Sequence, residues 1–94
     1  MEICMATAKF PLGRTVITKN AANTLAAISV KECLERHAQG DWGDVCKEDR
    51  QSNEEALKEG LRLFSSYMDS KGTKFWIITE HDRSVTTVLL PEDY

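Results

Sequence analysis

No apolar run in the 94-residue sequence approaches the roughly 20 residues that a helix needs to span a bilayer. A secretory leader is not expected either. Met1–Ala8 includes Glu2 and is followed by Lys9, which leaves no basic segment ahead of an apolar core. The expected compartment is therefore the cytoplasm. Cysteine is scarce and odd in number: Cys4, Cys33 and Cys46 are widely spaced with no Cys-x-x-Cys pair, against a disulfide framework and a structural zinc site. Asp44 and Glu48 flank Cys46 and disfavour its thiolate more than Lys47 helps it, so a reactive thiol is not expected. With two histidines, no His-x-x-x-His pair, no Gly-rich phosphate loop and no calcium-loop spacing, neither a metal nor a cofactor is expected. A basic excess is missing too. The net charge of −3 offers no footprint for a phosphate backbone, which disfavours direct nucleic-acid binding.

What remains is ordinary globular composition, 41% hydrophobic and 29% charged, the mark of one domain with one core. Residues 1–8 read as a variable leader and 9–94 as a single α+β domain. Phe10-Pro11-Leu12-Gly13 punctuates the chain ahead of Arg14–Thr18, a β-branched run that predicts a short strand, with Pro11 favouring a sheet edge. Asn20 is the expected cap of a first helix over Ala21–Ile28. Ser29 and Glu32 have capping-box spacing for a second helix over Val30–Gln39, whose buried stripe is Val30, Cys33, Leu34 and His37 and which ends at Gly40. A third helix has Ser52 or Asp49 as its cap and closes at Gly60.

From Leu61 the periodicity changes from helical to alternating. Leu63–Met68 predicts a strand, Asp69–Gly72 a turn, and Phe75-Trp76-Ile77-Ile78-Thr79 a central strand with apolar residues on both faces. Glu80–Arg83 reverses the chain into Ser84–Leu90, and Pro91 stops it. The expected architecture is two or three N-terminal helices packed on a three- to four-stranded antiparallel sheet that ends in a C-terminal β-meander.

Three polar constellations could carry function. Gly40-Asp41-Trp42-Gly43-Asp44 sets a large aromatic between glycines and acids. It is either an Asx-type turn whose Trp42 plugs the core edge or a constrained contact platform. On the third helix, Asp49, Asn53, Leu57 and Gly60 share a face, which points to bracing of the Asp41–Asp44 loop. At the hairpin tip, Glu80-His81-Asp82-Arg83-Ser84 holds an acid, base and hydroxyl inventory that a solvated turn would also contain.

Lys9-Phe10-Pro11-Leu12-Gly13, Arg36-His37 before Gly40-Asp41-Trp42-Gly43, Asp49, Asn53, Arg62–Tyr67, Trp76–Glu80, Asp82–Thr87 and Leu89–Tyr94 together resemble a family of short bacterial proteins. Its members are labelled plasmid-related or hypothetical and are often encoded on plasmids, phages or integrated elements. The resemblance covers Lys9–Tyr94 and implies a self-contained domain and a mobile-element setting, without implying an activity. Met1–Ala8 is longer than the family's usual start. The family pattern coincides with Asp41, Trp42, Asp49, Asn53, Trp76, Glu80, Asp82, Arg83 and Ser84, and a shared polar site between the loop and the hairpin tip is the resulting expectation.

Two functions follow. The first is an interaction or accessory protein of a mobile element, such as an anti-defence inhibitor of anti-CRISPR or anti-restriction type. It would bind a protein partner through Asp41, Trp42, Asp44, Asp49, Asn53, Glu80, Asp82, Arg83 and Ser84; homo-oligomerisation stays open and no membrane contact is expected. The alternative is a small enzyme or ligand-binding domain using Asp41, Asp49, Asn53, Glu80 and Arg83.

Overall fold

The computed structural model describes residues 8–94, so the leader expected over residues 1–8 lies outside the described residues apart from Ala8. The chain runs β1 (Arg14–Ile17), α1 (Lys19–Thr24), α2 (Ala27–Ala38), α3 (Lys47–Glu59), β2 (Leu63–Met68), β3 (Lys74–Thr79) and β4 (Val85–Leu89), then a 3-10 turn at Pro91–Asp93. Among the described residues no helix is long and apolar enough to cross a membrane.

The α+β class and the meander are as expected. β2, β3 and β4 pair antiparallel in sequence order, with β3 between its neighbours. Two expectations need correction. β1 joins the far side of β4 in parallel, Arg14 opposite Val85 and Ile17 opposite Val88, so the sheet is mixed rather than antiparallel throughout. The helices are also not an N-terminal block, because β1 precedes all three. Both differences share one cause: a parallel pair needs a long crossover, and the three helices, β2 and β3 all lie within the connection between β1 and β4.

Helix starts depart from the expected caps. Thr18, not Asn20, caps α1, its Oγ1 accepting from Ala21 N at 3.1 Å. Asn20 instead donates to Asp93 Oδ1 at 3.1 Å, and Thr18 donates to Asp93 Oδ2 at 2.6 Å, which ties the C-terminal turn to the end of β1. α2 begins at Ala27, so Ser29 lies inside its first turn and accepts from Ser70 N at 3.0 Å. α3 begins at Lys47, which puts Asp49 and Ser52 inside the helix. Gly40 and Gly60 do end α2 and α3.

Register separates the two faces of the sheet. Leu63, Ser65, Tyr67, Phe75, Ile77, Thr79, Thr86 and Val88 share one face and are all buried. Ala21 and Leu25 near α1 and Cys33 from α2 pack there against Tyr67, Phe75, Ile77 and Val88. Each large apolar side chain in this layer contributes about 2 kcal/mol by leaving water. Phe64, Ser66, Met68, Trp76, Ile78, Thr87 and Leu89 form the opposite face, which neither α1 nor α2 covers. α3 runs beside β2, and its Ala56 joins Phe10, Trp42, Val45 and Leu63 in a second apolar cluster.

Candidate functional site

Most of the polar residues singled out in the sequence are held by backbone or by each other. Asn53 is buried; its Nδ2 donates to Phe64 O at 2.6 Å and its Oδ1 accepts from Phe64 N at 3.1 Å, as a neighbouring strand would. Two residues further on, Ser66 N donates to Trp42 O at 3.1 Å and Ser66 O accepts from Asp44 N at 2.7 Å. Asn53 and the Asp41–Asp44 loop together seal this stretch of the β2 edge; Asn53 braces β2 rather than the loop itself, whose bond to α3 is the one from Trp42 to Glu54. Asn53→Asp keeps the shape but cannot donate, and it sets a carboxylate against a carbonyl in a dry site. Urea denaturation should show a loss of about 2 to 4 kcal/mol.

Asp41 accepts from Arg36 through both oxygens, at 2.8 and 3.3 Å, and Oδ1 also accepts from Gly43 N at 3.2 Å. The Arg36 hydrogen bond holds its carboxyl below the usual carboxylate range. Trp42 is buried rather than presented to solvent. Its indole stacks on Phe10 with centroids 6.2 Å apart and donates to Glu54 Oε2 at 2.9 Å. Asp44 and Asp49 are exposed, the latter in the first turn of α3 where a negative charge suits the helix dipole.

Arg83 acts as a clasp on the hairpin tip. It donates to Leu61 O at 2.6 Å, Ala56 O at 3.0 Å and Glu80 O at 3.1 Å, tying the β3–β4 turn to the C-terminus of α3. Its guanidinium also lies 5.6 Å from the Phe10 ring centre. Ser84 donates to Asp82 Oδ1 from its hydroxyl at 2.6 Å and from its backbone at 3.1 Å, and these bonds keep the Asp82 carboxyl below its ordinary range. Glu80 pairs with Arg62 at 3.7 Å. Among the described residues no hydrogen bond or ion pair joins the acids of the loop to those of the hairpin tip, and no cluster of His, Cys, Asp and Glu has metal-binding geometry.

A buried chain of hydrogen bonds runs through the core below Trp42. His37 Nδ1 lies 2.5 Å from Ser65 Oγ, His37 Nε2 lies 2.9 Å from Thr79 Oγ1, and Thr79 Oγ1 lies 2.8 Å from Thr86 Oγ1. Thr86 donates to Leu12 O at 2.7 Å. That last bond sets the direction of the rest: Thr79 donates to Thr86, His37 donates to Thr79 from Nε2, and Ser65 donates to Nδ1. The imidazole is thus neutral and fully buried, and desolvation, reinforced by the Arg83 charge, lowers its pKa from 6.5 to about 3. Ser65 and His37 make a hydroxyl–imidazole pair that no substrate reaches, a core network rather than an active site.

The surface feature that sequence reasoning missed is on the sheet face opposite α1 and α2. Arg62, Phe64, Trp76, Ile78 and Tyr94 line an open cleft of about 340 Å³. The rings meet edge to face, Phe64 with Trp76 at 5.1 Å and Trp76 with Tyr94 at 5.8 Å. Arg62 donates to Tyr94 Oη at 3.0 Å with its guanidinium 5.6 Å from that ring's centre. Of the apolar residues on the two faces of β3, Trp76 is only partly covered. The available signal was the alternation that puts Phe64, Trp76 and Ile78 on one face. Comparison with family models, with curated proteins and with solved structures found no match.

Proposed function

We propose that the protein is a non-enzymatic interaction module that holds a protein partner on the sheet face opposite α1 and α2. The cleft between Phe64, Trp76, Ile78 and Tyr94 carries this reading: partly exposed aromatic rings over a buried Ile78, beside a guanidinium that Tyr94 and Glu80 orient. Aromatic side chains and arginine are the residues that most often dominate binding energy, because they cover much area for little lost rotamer freedom. The contact surface in this proposal is therefore the cleft and not the Trp42 loop, whose aromatic is buried. An accessory or anti-defence role on a mobile element is the setting we propose for such a module, in line with the family resemblance, which carries no activity of its own.

Tyr94 and Met68 on this face are 71% and 57% exposed, and Ile28 on α2 is 63% exposed, so substitutions there leave the core untouched. Affinity purification of the tagged chain from its host, read by mass spectrometry, should recover a discrete partner. Tyr94→Ala combined with Met68→Ser should cut that recovery at least tenfold, whereas Ile28→Ser should leave it unchanged. Equal recovery by all three proteins would reject the cleft as the contact surface.

A further inference from the structure

The two edges of the sheet are treated differently. On the β2 edge the outward backbone groups of Phe64 and Ser66 are already occupied by Asn53, Trp42 and Asp44, so no incoming strand can pair with them. β1 forms the other edge. Arg14 N donates to Ser84 O at 2.9 Å and Thr18 N donates to Val88 O at 3.0 Å. By the alternation of a strand, Arg14, Val16 and Thr18 turn their backbone groups toward β4, and Thr15 and Ile17 turn theirs away. Among the described residues nothing pairs with those outward groups. Thr15–Ile17, the part of the strand with outward groups, holds no proline and no charge, and Ile17 is 42% exposed.

We propose that β1 is a self-pairing edge. Two copies of the chain join β1 to β1 antiparallel about a two-fold axis perpendicular to the sheet, giving one continuous eight-stranded sheet. The backbone selects the register. Placing Thr15 of one copy opposite Ile17 of the other makes two pairs of outward residues, each exchanging two N–H···O=C bonds, four bonds in all. A slip in one direction sets Gly13 opposite Ile17, but Gly13 has φ +67° and is not extended. A slip in the other direction sets Lys19 opposite Thr15, and Lys19 already belongs to α1. In the selected register Arg14 lies opposite Thr18, so no like charges face each other, and the two Val16 side chains meet at the axis. The axis keeps the faces opposite α1 and α2 in both copies on the same side of the joined sheet.

Sedimentation equilibrium and light scattering on the full chain test this. The wild type should show twice the monomer mass, falling to the monomer mass on dilution. Thr15→Pro removes only an outward N–H, so it should be monomeric with an unchanged circular dichroism spectrum. Val16→Glu and Val16→Lys should each be monomeric alone, since each sets like charges together at the axis, and should regain the doubled mass when mixed. That mixing result decides the matter even if Thr15→Pro folds poorly. A wild type monomeric at 500 µM, or a dimer that persists in each Val16 variant alone, would overturn the proposal.

Discussion

Gly43→Ala will cost the protein most of its stability. Gly43 has φ +73°, and a Cβ there would lie 2.1 Å from Ser66 O and 2.7 Å from Tyr67 Cδ1. Left-handed backbone alone costs a non-glycine residue about 1 kcal/mol. The contact with Ser66 O cannot be relieved by a rotamer change, because that carbonyl belongs to β2 and already accepts from Asp44 N. The loop must lift, giving up the hydrogen bonds between Ser66 and Trp42 and between Asp44 and Ser66, and loosening Trp42 from Phe10 and His37. The expected loss is about 3 to 5 kcal/mol, against a total of roughly 5 to 10 for a chain of this size. Gly60→Ala is the control: φ is +71° there but nothing lies within 4 Å, so about 1 kcal/mol should be lost. Urea denaturation of both variants makes the comparison, and equal losses would mean that the loop does not clamp the β2 edge.

Acid should unfold the protein through His37. The imidazole titrates near 6.5 in the unfolded chain and near 3 in the folded one. Above pH 6.5 both states are neutral and the full stability is present. As pH falls from 6.5 toward 3 the unfolded chain takes up a proton that the folded core refuses. Stability then drops by about 1.4 kcal/mol per pH unit, on the order of 3 kcal/mol by pH 4. Asp41, Asp69, Asp82 and Asp93 are held below their ordinary range, so their contributions are lost at lower pH, outside most of this window. His37→Gln should be less stable than the wild type at pH 7.5, because it disrupts the chain from Ser65 to Thr79. Its urea midpoint should nevertheless stay nearly flat between pH 7 and 5, where the wild-type midpoint declines. Parallel slopes in the two proteins would remove His37 as the cause.

The strands that alternate strongly were legible in the sequence, and so were the glycines that end α2 and α3. Phe75–Thr79 and Val85–Leu89 combine β-branched and aromatic residues with a short polar connection, and local chemistry of that kind decides a hairpin. The direction of β1 was not legible, because four β-branched and polar residues pair equally well either way and their partner comes from the other end of the chain. The polar residues stand out in the sequence, but the work of those that the fold uses depends on neighbours remote in sequence. Asn53 is satisfied by Phe64 and Arg83 by Ala56 and Leu61, and no spacing rule connects such residues. The cleft escaped notice for a different reason. Alternation tells which residues share a face, as Phe64, Trp76 and Ile78 do, but not whether anything is laid over that face.

The pairing of the first strand with the last also sets the order in which the chain can mature. β1 has no sheet to join until Val85–Leu89 has been made, and β4 is itself positioned by β3. At ribosomal rates of about 5 to 20 residues per second, roughly 3 to 14 seconds separate the synthesis of Ile17 from that of Val85. During that interval the Thr15–Ile17 segment has both edges unpaired, and the nascent chain can draw only on its helices and, once Thr79 is made, on the β2–β3 hairpin. Completion of β4 then lets the sheet, the Asp93 tether and the Arg83 clasp form within one short stretch of synthesis.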